Sequence, residues 1–200
     1  EGDESSMPNQ LMHLAQLECW SGNWPLASRY AEESVELAEQ VGQSFGGPPA
    51  MRAFVDAHVG NVERARATVD AHLKVAEGKP LAVPLYRVLG FLALSLGDAA
   101  AAELHLTRTV EIAESFGIVE PAVHRVHADL VEALIGTGLL DRAETVLGEL
   151  ESRGRTSQVP WSLATGARCR GLLLAAHGEL DAADHSLENA LREHDGCPMP

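Results

Sequence analysis

Several groups of residues in this 200-residue chain are of the types that do chemistry. Gly42-Gln43-Ser44-Phe45-Gly46 matches G-x-S-x-G, a pattern that exposes a nucleophilic serine on a strained turn between a strand and a helix. Here helix-type sequence precedes it and Gly47-Pro48-Pro49 follows, so a loop between repeats is expected instead. His124 and His127 stand three apart, with His105 earlier, and two such rings on one helix face could share a cation. No cysteine or second histidine pair with ligand spacing accompanies them, so no metal site is predicted. Gly78-Lys79 ends as a phosphate loop would, but Pro80 replaces the hydroxyl residue and Leu73 the first glycine. The carboxylates of Glu32-Glu33 and of Glu149 and Glu151 are expected on solvated helix faces, since acid–base work needs a pocket. Arg153 and Arg155 flank a glycine and are expected in solvent. The sequence therefore predicts no enzyme and no cofactor.

The composition bounds what remains. Hydrophobic residues make up 46% and charged residues 22%, enough to build a core. Fifteen basic residues stand against 29 acidic ones, a net charge of −14. Nucleic acid and anionic membranes both need a cationic face, so neither is an expected partner. Cys19, Cys169 and Cys197 are far apart and odd in number, which suits reduced thiols in a cytoplasmic protein. No apolar run approaches the ~18 residues of a membrane span. The polar start, Glu1-Gly-Asp-Glu-Ser-Ser, is not a signal peptide.

A repeat organises the chain. Glycines at 22, 60, 97, 138 and 178 are spaced by 38, 37, 41 and 40 residues. Five residues after each stands an alanine: Ala27, Ala65, Ala102, Ala143 and Ala183. Four further on come Ala31, Val69, Leu106, Leu147 and Leu187. Prolines 8, 49, 84, 121, 160 and 200 keep a second rhythm. Proline suits a first helical turn and glycine a helix end. Asn23, Asn61 and Asp98 are expected to cap the next helix. Ala102, Leu106, Thr109, Val110 and Ala113 fall on one helical face. The alanines are expected where the two helices of each hairpin cross. The units read about 8–48, 49–83, 84–120, 121–159 and 160–199, in one domain without an internal linker. The fold class is all-α: a solenoid of about five helix hairpins.

This pattern resembles the tetratricopeptide repeat, with longer units and Tyr86 as the one aromatic early in a first helix. Its small midway residue is matched by Ala15, Ala53, Gly90 and Gly171, with Val131 in the fourth unit. Ala31-Glu-Glu-Ser-Val-Glu-Leu-Ala-Glu, Gly138-Leu-Leu-Asp-Arg-Ala-Glu and Gly178-Glu-Leu-Asp-Ala-Ala look like the repeat region of large ATP-binding LuxR-type transcriptional regulators of high-GC bacteria. The resemblance implies a segment that senses an inducer or partner between other domains. It also implies that Leu191-Arg-Glu-His-Asp-Gly-Cys-Pro-Met-Pro200 leads into a further hairpin, making the chain a fragment.

Carried onto this chain, the repeat's inner-face positions are Met12, Gln16 and Trp20, then Phe54 and His58, then Arg87 and Phe91. Arg125 and Glu132 follow, then Arg168 and Leu172. Trp, Phe and Arg are enriched at binding hot spots. Phe54, Phe91 and Leu172 are read as core residues before groove residues, whereas arginines resist unpaired burial. Arg87, Arg125 and Arg168 are thus expected to receive an anionic peptide or small acid. The alternative is a free-standing scaffold that recruits a protein or peptide in its groove. Self-association through an apolar face on the last hairpin, or weak stability at that end, is also expected.

Overall fold

The turn glycines set the frame. In a computed structural model that describes residues 6–42 and 46–197, Gly22, Gly60, Gly97, Gly138 and Gly178 all adopt left-handed φ angles of 74° to 84°. A side chain would be strained in that conformation. In each turn the N–H of the next residue donates to the carbonyl five residues back, at 2.8–3.0 Å. The last carbonyls of the incoming helix are thereby satisfied.

The helices between these turns are α1 (Met7–Trp20), α2 (Trp24–Gln40), α3 (Gly47–His58), α4 (Val62–Ala76), α5 (Ala82–Ser95) and α6 (Ala99–Ser115). Then come α7 (Pro121–His124), α8 (His127–Gly136), α9 (Leu140–Ser157), α10 (Pro160–Ala176) and α11 (Leu180–Asp195). Among the described residues there is no strand. Prolines 8, 49, 84, 121 and 160 fall within a first helical turn, and Pro200 lies outside the described residues. The described helices are all too short or too polar to cross a membrane.

The chain divides inside α5, not at a linker, into a unit ending at Leu92 and a unit beginning at Ala93. In the first unit, α1 packs on α2 and α3, α2 on α3, and α3 on α4. In the second, α6 packs on α8, α8 on α9, α9 on α10, and α10 on α11. Within these units α2 and α9 each meet both their hairpin partner and the first helix of the following hairpin.

Ala27, Ala65, Ala102, Ala143 and Ala183 are all buried. In the last hairpin the helices approach closely: a Cβ added to Gly171 would lie 3.2 Å from the Ala183 carbonyl oxygen and 2.6 Å from Cγ of Leu187. In the second unit these helices enclose a core of Leu106, Val131, Leu134, Leu147, Leu150 and Leu173.

Two local expectations are corrected. Of the three expected caps, only Asp98 accepts a backbone N–H, that of Ala101 at 2.9 Å. Asn23 and Asn61 make no side-chain cap. The five residues that follow the glycines share one backbone conformation, φ −82° to −91° and ψ 56° to 78°, and two of them are Leu139 and Glu179. The glycine turn sets this conformation, so a capping side chain is dispensable. Asn61 instead donates its amide to Asp56 Oδ1 at 3.2 Å.

The fourth first helix is not continuous from Pro121. It breaks at Arg125, which is left-handed at φ 54°. The break lays the Arg125 guanidinium 4.8 Å over the Trp161 ring and buries Val126 in the core. His124 and His127 consequently do not share one helix face.

Candidate interaction surface

In the first unit, four of the expected inner-face residues meet. Numbered from the turn glycine, Phe54 and Phe91 stand at −6, His58 at −2 and Arg87 at −10. Successive fours bring such positions to one face of a helix. The His58 ring stacks on Phe91 with centroids 3.8 Å apart and planes 2° from parallel. It contacts Phe54 at 4.1 Å. Arg87 lies 4.0 Å over the Phe54 ring, a cation–π contact. Trp24, from α2, stacks on the other side of His58 at 5.1 Å. Phe54 is buried, while Trp24, His58, Arg87 and Phe91 are half-buried and keep an edge toward solvent.

The imidazole is neutral here. Burial pushes His58 down to about 4, against the opposing effect of its bond to the Phe54 carbonyl, and nearby Arg87 adds to the lowering. The carbonyl can only accept, so Nδ1 carries the proton and donates to it at 2.9 Å. Nε2 is left as an acceptor. The surface thus presents a cation, a neutral imidazole and two aromatic edges.

Beside it lies an ionic web that sequence reasoning missed. Asp56 is buried, and Arg64 pairs with its Oδ1. Arg64 also holds Glu32 at 2.8 Å, and Arg52 approaches Glu32 at 3.9 Å. The available signal was the register: at −4, Asp56 stands where later hairpins carry Ala93, Leu134 and Leu174. Trp24 was missed because it belongs to a second helix, whereas the repeat's inner-face positions lie on first helices.

In the second unit two of the expected residues pair with each other and a third covers a tryptophan. Arg168 meets Glu132 at 2.6 Å, and Arg125 covers Trp161. Arg170 grips both oxygens of Glu151 at 3.0 Å and reaches Glu144 at 2.5 Å. Of the remaining first-unit positions, Trp20 and Gln16 are half-buried on α1, and the Met12 side chain packs where a Cβ on Gly47 would go. Leu172 is half-buried.

The other chemical candidates separate. Ser44 lies outside the described residues. Among the described residues no three His, Cys, Asp or Glu side chains gather as a cation site. His127 is buried, its Nδ1 has no hydrogen-bond partner, and burial pushes its pKa down to about 4. The three cysteines are buried and unbridged. Burial pushes Cys19 and Cys169 up to about 12, so both are protonated thiols. Arg155 is exposed, 3.8 Å from Glu151.

No protein-family model and no curated protein matches the chain. Among solved structures, the crystal structure of BtubC (BKLC) from P. vanneervenii is similar, with a TM-score of 0.71 over 96% of this chain and 82% of that chain. The likeness is one of fold. Sequence identity is 17%, so the all-helical hairpin architecture is what the two share.

Proposed function

We propose that this chain is a non-catalytic interaction domain that receives a protein segment or a small-molecule inducer on the surface around Arg87. It would do so in the cytoplasm, as the sensing region of a LuxR-type transcriptional regulator. The observation that carries the reading is the half-buried assembly of Arg87, Phe54, His58, Phe91 and Trp24. A guanidinium held over a ring loses little freedom on binding a carboxylate. The aromatic edges beside it supply apolar area, and both residue types are enriched at hot spots. Buried, unbridged cysteines favour a reducing compartment. The regulator setting rests on the sequence phrases of the first, fourth and fifth glycine-led segments.

The test is titration with fluorescent octapeptides that place a carboxylate beside an aromatic residue. A bound subset is expected, and Arg87→Glu should weaken it by about tenfold or more. Arg155→Glu, an exposed control, should leave the affinity unchanged. Binding that ignores Arg87→Glu would put the partner elsewhere.

A further inference from the structure

The surface around Arg87 also carries a group that the binding of an acid does not use. Of the side chains assembled there, the Arg87 guanidinium and the Trp24 indole can only donate hydrogen bonds, and Phe54 and Phe91 can do neither. His58 supplies the one side-chain acceptor, Nε2. Its tautomer is fixed from within the helix, because Nδ1–H donates to the Phe54 carbonyl at 2.9 Å. Among the described contacts Nε2 has no partner, and it is not sealed from solvent as Nδ1 of His127 is.

The ring is held so that it cannot change what it offers. Trp24 and Phe91 stack on either side of it, at 5.1 Å and 3.8 Å, and Phe54 contacts it at 4.1 Å. His185 makes the same bond to the carbonyl four residues back, at 2.7 Å. That ring lies exposed, with no aromatic neighbour among the described residues. The clamp of three rings, and not the bond, sets His58 apart.

A carboxylate does not suit Nε2. The atom presents a lone pair, which repels an anion, and burial and Arg87 both oppose the proton that would turn repulsion into attraction. An incoming acid is thereby directed to Arg87. Nε2 is left for a group with a proton to give. Arg87 and His58 lie on the same Phe54 ring, at 4.0 Å and 4.1 Å, so one short segment can reach both. A plain phenyl ring laid over Nε2 would strip the atom of water and return no hydrogen bond, which is costly.

We propose that His58 Nε2 sets the specificity of this surface, selecting a peptide segment in which the aromatic residue beside the carboxylate is a tyrosine whose hydroxyl donates to Nε2. The inference rests on the reading of the Arg87 surface as the binding site.

Fluorescent octapeptides made in pairs, identical except for Tyr or Phe beside the carboxylate, test it. Within each bound pair the Tyr member should bind about tenfold more tightly. In His58→Phe, which keeps a ring in the stack and deletes the acceptor, that preference should vanish. Arg87→Glu should weaken both members alike. Nitrogen-15 NMR of the imidazoles in the wild-type protein gives a reading that needs no variant. His58 should remain in its Nδ1–H tautomer, and its Nε2 resonance should move with the Tyr peptide and not with the Phe peptide. Pairs that bind through Arg87 with equal affinity would overturn this inference and leave the binding surface standing. So would a Tyr preference that survives His58→Phe, or a doubly protonated His58 in the complex. If no peptide binding responds to Arg87→Glu, the surface itself is misplaced and the inference falls with it.

Discussion

Arg168 and Glu132 form an ion pair at 2.6 Å, the −10 residue of one hairpin reaching the −6 residue of the hairpin before it. Arg87 and Phe54 occupy the same two positions in the first unit, where the contact is cation–π at 4.0 Å. One register accommodates both chemistries. Their surroundings differ in consequence: Arg168 lies against a carboxylate, while Arg87 lies over a ring with further aromatic edges beside it. That pairing of a cation with apolar edges is why the interaction surface is placed at Arg87.

The Arg168–Glu132 pair should matter little to stability. Both side chains keep about a third or more of their surface in solvent, at 44% and 32%. Exposed pairs are worth roughly 0–1 kcal/mol. A double-mutant cycle with Arg168→Met and Glu132→Gln, read by urea denaturation, should return a coupling under about 1 kcal/mol.

The buried carboxylate of Asp56 should behave differently. Arg64→Ala leaves it with Asn61 as its remaining side-chain donor among the described contacts, and should cost about 2 kcal/mol. Adding Asp56→Ala, the residue that the third hairpin carries at this position as Ala93, should recover much of that loss. A double variant less stable than Arg64→Ala would refute the account.

Two glycines inside helices should respond with opposite signs. Gly148, in α9, has open space where a methyl group would project, and Gly148→Ala should stabilise by roughly 0.5–1 kcal/mol. At Gly171 the same methyl would strike Leu187 and the Ala183 carbonyl, so Gly171→Ala should destabilise by about 1–3 kcal/mol. Thermal melts of the two variants distinguish them directly.

Stability should fall as the pH drops from 6.5 toward 4. His58 and His127 both titrate near 4 when folded, below the ordinary 6.5. Between those values the unfolded chain binds protons that the folded chain refuses, so stability rises with pH across this window and is lost on acidification. Each ring contributes on the order of 2 kcal/mol. His127→Phe should flatten this part of the pH profile measured by denaturant titration; an unchanged slope would refute the assignment.

The hairpin frame was legible because it is written in single residues with one physical job. Glycine is needed where φ is positive, and alanine fills the buried register position, so spacing alone located both. The break at Arg125 was hidden because no local residue type announces it; the guanidinium's partner there, Trp161, stands 36 residues away. The caps at Asn23 and Asn61 were over-read because residue type suggested a hydrogen bond that the glycine turn makes unnecessary. At the candidate site, the resemblance to the tetratricopeptide repeat named Phe54, His58, Arg87 and Phe91 among the inner-face positions. It could not say which arginine would meet a carboxylate and which a ring, since that depends on what stands at −6 in the preceding hairpin. Asp56 escaped notice because its signal lies only in the register, an acid at −4 where later hairpins carry Ala93, Leu134 and Leu174.

The shared shape of the five glycine turns has an evolutionary corollary. The positions that follow the glycines carry Asn23, Asn61, Asp98, Leu139 and Glu179 without any change of backbone. Amide, acid and hydrocarbon are interchangeable there. At Asn23, Leu139 and Glu179, which make no side-chain cap, the side chain can therefore be rewritten while the architecture beneath stays as it is, leaving selection free to retune charge and solubility there without renegotiating the fold.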